Sequence, residues 1–424
     1  MVVRRNRDDR PVIAFYRDSF GGWRGTDQYL HRLIETFDYD RFRLRILLLS
    51  PPACDPMGLT SGAHPLEVAV LPSSGAGDVA PEPSGSAPCR PSLQSWWVRT
   101  APQGMRFAMG FARDVRRLSK WLRPLRADLI HIFDGERDPA PVAARLARYP
   151  CIVTSYACLP DADPDAGRWH KRQAERLSFR CADRVIVKTG AAGRIWARQL
   201  DAPIERFAVI PNGIDLARFE NPADGANIRN ELGIPEEALV VGLSASLSAY
   251  KGHVHLLKAA VEVRRRVPNV LFVFAGDGPL RNELEAESSA LGLDGAVCFL
   301  GVRHDIPALT RCYDVAVLPS LSETFGWAAA EAMACRRPVV ASALPTIAEV
   351  VEDGVSGILV PPARATELAD ALTRLLRDPA LRRRMGEAGY RRVRDKFTVE
   401  RMRDLTLELY EGLLARRRMA AWHN

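Results

Sequence analysis

The sequence predicts an α/β protein made of two doubly wound domains, and three observations carry that reading. The chain has 424 residues, more than one ordinary hydrophobic core organises. Short, β-branched apolar runs alternate with amphipathic stretches, as parallel strands do when helices cover both faces of their sheet. The runs fall into two sets, which predicts two sheets.

The first set comprises residues 11–16, 43–49, 67–71, 128–133, 151–156 and 184–188. The second comprises 239–244, 270–275, 297–301, 314–319, 338–342 and 356–360. The joint is expected near 208–213. The expected organisation is therefore an N-terminal domain over 1–207, a second domain over 208–395, and a closing helix over 396–424. Residues 72–92 are rich in Pro, Ser, Gly and Ala and are expected to form a flexible insertion. In the tail, Met402, Leu405, Leu409 and Leu413 recur at helical spacing.

Composition narrows the class. Apolar residues make up 47% of the chain, the range of a globular protein. A net charge of +8 suits phosphate-bearing ligands or anionic surfaces. No nucleic-acid-binding motif accompanies the charge, so nucleic acid is not an expected partner. The eight Cys form no Cys-x-x-Cys pair, which fits buried free thiols in a reducing compartment. Residues 1–10 are basic and polar without the apolar segment of a signal peptide. No apolar run approaches the roughly 20 residues of a spanning helix. A cytoplasmic location is expected, with at most peripheral contact with the inner face of the membrane.

Four loops at strand ends carry the chemistry. The strongest is Ser320-Leu321-Ser322-Glu323-Thr324-Phe325-Gly326, which runs into a helix bearing Glu331. A helix N-terminus offers unpaired N–H groups and the positive end of a dipole to phosphate. Glu323 in the loop and Glu331 on the helix are eight residues apart, so one carboxylate can face sugar hydroxyls and the other a ribose. An isolated Glu is normally a solvated charge; the whole string argues otherwise. In the second loop, Ser246 to Gly252, a strand runs into small residues and one Lys251, placed to reach a diphosphate as a point charge. The third, Gly276-Asp277-Gly278, reads equally as a ligand-approach loop or as a plain turn. The fourth, Gly21-Gly22-Trp23-Arg24-Gly25, is similar to a phosphate-cradling loop, without dinucleotide or P-loop spacing.

Together these segments resemble the family 4 glycosyltransferases, which have the GT-B fold of two Rossmann-like domains facing each other across a cleft. The resemblance is closest in the C-terminal half: Pro211-Asn212-Gly213, Lys251-Gly252, Gly276-Asp277-Gly278, Gly301-Val302, the Glu323 to Glu331 string and Pro338-Val339-Val340-Ala341-Ser342. It is thinner in the N-terminal half, at Gly21-Gly22, Asp128-Leu129-Ile130-His131 and Ala182-Asp183-Arg184-Val185. The resemblance implies a retaining hexosyltransferase that uses a UDP- or GDP-sugar, with no metal and no cofactor. The acceptor it implies is a glycan, a lipid-linked molecule or a small molecule.

By the same resemblance, Lys251 would hold the diphosphate, and the amides of Phe325 and Gly326 would cap its phosphates. Glu323 would bind sugar hydroxyls and Glu331 the ribose. Val302 would meet the base through its backbone. Gly22 would let the N-terminal loop close over the phosphates, and Gly276 would lie on the donor side. The catalytic candidates are Glu323, Lys251 and His131. His131 reads either as a catalytic group or as a satisfied core histidine.

Five positions depart from the family pattern. Ser246 stands where an Arg is usual and Phe133 where a second His is usual. Arg336 replaces a Gly, so a different turn is expected there, and Pro345-Thr346 replaces a Gly-Gly pair. The departures at 246 and 133 leave open a catalytically silent nucleotide-sugar-binding homologue. An epimerase of the same fold is a further alternative.

Residues 96–126 carry eight Arg or Lys against one Asp, and Met105, Ala108, Met109, Ala112, Val115, Leu118 and Leu122 recur at helical steps. Two readings stay open: a helix covering the first sheet with a solvated basic face, or an anchor on an anionic membrane.

Overall fold

The computed structural model describes residues 10–17, 25–49, 66–71, 103–135, 138–160, 169–220 and 224–422. The expected insertion at 72–92, the loop containing Gly22 and Arg24, and Trp96-Trp97 lie outside these residues.

The chain divides into two compact units. The first comprises Met1–Val187, Trp196–Ala208 and Thr406–Asn424; the second comprises Lys188–Ile195 and Val209–Leu405.

The sheet of the first unit contains β1 (Val12–Arg17), β2 (Arg43–Leu48), β3 (Leu66–Val70), β4 (Leu129–Phe133), β5 (Ile152–Ser155), β6 (Arg184–Val187) and β7 (Phe207–Val209), in the order β3-β2-β1-β4-β5-β6-β7. The pairs from β3 through β6 run parallel. Its apolar runs are continuous because helices cover both faces: Ile13, Ile130, Ile132, Ile152 and Val185 are wholly buried. Each such side chain contributes about 1.5–3 kcal/mol of burial. The short strand β7 was not expected from the sequence.

In the second unit, β8 (Leu239–Ser244), β9 (Val270–Ala275), β10 (Val297–Gly301), β11 (Val315–Leu318), β12 (Val339–Ser342) and β13 (Gly357–Val360) form a parallel sheet, order β10-β9-β8-β11-β12-β13. The helix Ala365–Arg377 buries Leu368, Leu372, Leu375 and Leu376, an amphipathic stripe against the sheet. The next helix, Pro379–Lys396, starts where Asp378 accepts a hydrogen bond from Leu381 N at 2.8 Å, with Pro379 supplying a preset φ.

Both sheets share one topological property. Strand order reverses between β1 and β4 in the first and between β8 and β11 in the second. In doubly wound sheets, ligands bind outside the carboxyl ends of the two strands flanking that reversal.

The helix Gln103–Leu122 divides its expected stripe in two. Val115, Leu118 and Leu122 are buried, whereas Met105 and Met109 are exposed at 56% and 50%. The packing of the first unit buries only the C-terminal half of the apolar pattern.

The backbone at Arg336 is left-handed, with φ at 56°, a region that favours glycine. Its guanidinium lies 3.7 Å from the ring centre of Tyr390 and 3.0 Å from Glu387. Those contacts hold an unfavourable backbone in place.

Candidate active site

The second unit gathers its polar groups at the reversal between β8 and β11. After β8 the chain makes a short 3-10 turn, Ala249–Lys251, closed by Gly252 at φ 73°. A Cβ on Gly252 would stand 2.0 Å from the carbonyl oxygen of Pro319, so only glycine lets the loop after β8 approach the loop after β11. The amide of Leu321 donates to the carbonyl of Tyr250 at 2.7 Å and ties the two loops together.

Lys251 and Glu323 meet across this junction, with Nζ 2.5 Å from Oε1. Ser320 donates to the same carboxylate oxygen at 3.2 Å, and Thr346 donates to the Glu323 carbonyl at 2.7 Å. Both charged side chains are mostly buried, at 17% and 10% exposure. In such surroundings, removing one partner leaves a costly uncompensated charge.

Glu331 lies on the helix Trp327–Ala334 and lines a small pocket with Ser244, Tyr313 and Ala328. Burial pushes its carboxyl up to about 7, against the lowering effect of the Arg218 charge. The Tyr313 hydroxyl is 3.0 Å from Ser244 Oγ. Gly326 opens the helix at φ 87°, and a Cβ there would stand 2.6 Å from Ile347 Cδ1. Phe325 packs its ring into the core against Phe397, so any ligand would meet its backbone.

Gly276 donates its amide to the Gly301 carbonyl at 2.7 Å, and a Cβ there would stand 2.0 Å from the Ala245 carbonyl oxygen. Loop packing alone therefore requires this glycine. Val302 is 63% exposed just beyond β10. Ser246 pairs with Ser248, Oγ to Oγ, at 2.9 Å and brings no charge. Gly22 lies outside the described residues.

His131 is not brought to a ligand-accessible position. It is wholly buried in the first unit, with Nδ1 2.6 Å from the Tyr410 hydroxyl and Nε2 2.6 Å from Ser155 Oγ. Both ring nitrogens are engaged and the ring stacks on Phe133 at 4.0 Å. These contacts are those of the core-histidine reading.

The sequence does not give the roles of three residues of this region. Ser320 and Thr346 hold Glu323 in place; Thr346 stands where the family pattern has a glycine. Glu349 accepts from the amides of Gly190 and Ala191 at 2.7 Å each, which caps the helix Gly190–Leu200 and explains why Lys188–Ile195 group with the second unit.

Residues 224–392 match the family "Glycosyl transferases group 1", and residues 24–213 match the "Glycosyl transferase 4-like domain". The chain belongs to the group 1 glycosyltransferases. Within this family it is 30% identical over 306 residues to the 2-deoxystreptamine glucosyltransferase of Streptomyces kanamyceticus, covering 69% of this chain and 79% of that protein. It is 36% identical over 219 residues to the alpha-D-kanosaminyltransferase of the same organism; that match covers 50% of this chain and only 56% of the relative. The crystal structure of Anabaena HepE in complex with UDP and glucose superposes with a TM-score of 0.74 at 23% identity, covering 95% of this chain and all of that one. This glycosyltransferase family member therefore has the GT-B fold, with the parallel sheets described above. Among its described residues no helix is long and apolar enough to cross a membrane.

Proposed function

We propose that the protein is a retaining glycosyltransferase that moves a sugar from a nucleotide-diphosphate donor, a UDP- or GDP-sugar, to an acceptor hydroxyl. The observation that carries this reading is the Lys251–Glu323 pair at the β8/β11 reversal, with Glu331 one helix away. UDP in the structurally similar HepE supports a uridine nucleotide. In this reading Lys251 and the amides at Phe325 and Gly326 take the diphosphate. Glu323 takes sugar hydroxyls, Glu331 the ribose, and the backbone at Val302 the base. The bond from the anomeric carbon to the diphosphate oxygen breaks, and the acceptor oxygen bonds to the same face. The acceptor proton passes to the leaving phosphate. Lys251 and the helix end stabilise the charge that develops, without metal or cofactor.

The test measures free nucleotide diphosphate released from UDP-glucose and GDP-sugars, with calorimetry of UDP alone. Release that depends on Lys251 supports the reading. Binding without release would favour the silent homologue, for which Ser246 is the supporting feature. Interconversion of the donor sugar without transfer would favour the epimerase. Absence of any nucleotide binding would overturn the proposal.

One observation favours a second element, contact with an anionic membrane and hence a lipid-linked acceptor. Met105, Met109 and Trp169 are exposed, the last at 75%, beside exposed Arg106, Arg113, Arg116, Arg117 and Lys120. Phe107 and His170, ring centres 4.8 Å apart, join the two helices that carry these residues. Apolar tips set among cations match the interface of an anionic bilayer.

A further inference from the structure

The Lys251 ammonium has two neighbours of different chemistry, and they sit on different loops. Glu323, on the loop after β11, places Oε1 2.5 Å away. Tyr250, on the same short turn as Lys251, places its ring centre 5.1 Å away. A cation within about 6 Å of an aromatic face is attracted by the ring quadrupole. The carboxylate neutralises the charge, whereas the ring leaves it whole and available to an anion.

The turn keeps the ring beside the cation. The Tyr250 carbonyl accepts from the Leu321 amide at 2.7 Å, and the Lys251 amide donates to the Ser248 carbonyl at 3.0 Å. Gly252 closes the turn in the left-handed region, pressed against the Pro319 carbonyl. Tyr250 is 40% exposed, so its ring is not there to fill the core. His253, which opens the helix His253–Arg266, gives Lys251 no support. It is 2% exposed, and among the described residues neither of its ring nitrogens has a hydrogen-bond partner. Burial, helped by the Lys251 charge, pushes its imidazole down to about 4, so it is neutral near pH 7.

We propose that Tyr250 is a positioning residue of the donor site: its ring holds the Lys251 ammonium in reach of the diphosphate after Glu323 has let it go. The ring stays with the lysine because the two share one turn, while Glu323 belongs to the facing loop. Ser246 adds no charge, so a single cation serves the β8 loop and its placement matters the more. This inference rests on the glycosyltransferase reading and adds a residue to its donor site.

The experiment titrates UDP into the full chain by calorimetry and measures initial rates with UDP-glucose. The variants are Tyr250→Leu, Tyr250→Phe and Tyr250→Trp, and Tyr250→Leu combined with Lys251→Ala. Tyr250→Leu raises the UDP Kd and the donor KM by about two- to fivefold, the scale of one partly exposed cation–π contact. Its kcat stays within about twofold, because a lysine less often in reach weakens ground and transition states alike. Tyr250→Phe keeps the ring and restores the affinity that Tyr250→Leu loses. In the Lys251→Ala background the change to Leu has no further effect on UDP, since the ring acts through the lysine. An unchanged Kd in Tyr250→Leu overturns the proposal. So does an equal loss in Tyr250→Phe, which would assign the effect to the hydroxyl, or an equal loss without Lys251, which would put the ring on the ligand itself. Melting temperatures report folding. Should Tyr250→Leu fail to fold, Tyr250→Trp decides: its stronger ring retains or tightens UDP binding, and weaker binding overturns the proposal. A wild-type chain that does not bind UDP is a separate outcome, which sinks the glycosyltransferase reading itself.

Discussion

Lys251 Nζ stands 2.5 Å from Glu323 Oε1, so the cation assigned to a diphosphate is neutralised beforehand by the carboxylate assigned to a sugar. In the proposed mechanism, donor entry exchanges this internal contact for contacts with the ligand. In that mechanism Lys251 carries the cationic role at the β8 loop, since Ser246 adds no charge. Lys251→Ala is expected to lower the rate of UDP release by about two to three orders of magnitude, the scale of one lost preorganised contact. Initial rates with UDP-glucose check it; a rate within a few-fold of wild type removes Lys251 from the mechanism. Ser246→Arg is expected to raise donor affinity or leave it level.

Glu331 gives a pH signature. Burial raises its carboxyl from the ordinary 4.5 to about 7, so the folded protein binds this proton more tightly than the unfolded chain. The associated stability is fully present below about 4.5 and is lost as pH rises through about 7. Melting temperatures across this window should fall with pH in the wild type and fall less in Glu331→Gln. The variant should also bind UDP more weakly, through the ribose. Parallel melting curves together with equal UDP affinity would leave Glu331 without either role.

His131 should behave as a core residue. His131→Phe strands the Tyr410 hydroxyl and Ser155 Oγ and is expected to cost about 2–4 kcal/mol of stability, on the scale of buried groups left unpaired. Urea unfolding measures the loss. UDP affinity should stay within about twofold, because a core substitution that leaves the donor groups alone removes none of their hydrogen bonds. A selective loss of turnover at unchanged stability would restore a catalytic role.

The exposed face around Met105, Met109 and Trp169 predicts co-sedimentation with anionic vesicles and not with neutral ones, weakening as salt is raised. Replacing these three residues by Ser should abolish it. A protein that stays in the supernatant with anionic vesicles at low salt favours a soluble acceptor.

The sequence announces strands such as Leu239–Ser244 and Val270–Ala275 because a parallel strand covered on both faces is apolar along nearly its whole length. It does not announce β7, whose three residues include the exposed Val209. The string from Glu323 to Glu331 is legible because its spacing is local. The fate of His131 is not, since Tyr410 lies 279 positions away and only the folded chain brings the two together. The Arg17–Asp134 ion pair is illegible for a similar reason, since its partners lie 117 positions apart.

The helix Val399–Trp422 has a consequence for biosynthesis. Its residues from Thr406 onward belong to the first unit, where Thr406 and Tyr410 are wholly buried beside Tyr29 and His131. These groups leave the ribosome after the whole of the second unit. A nascent chain thus carries β1 to β6 with the Tyr410 site vacant while β8 to β13 are being made. The half translated first is the half completed last: Tyr29 waits for Thr406, and His131 for Tyr410, through the synthesis of an entire neighbouring sheet.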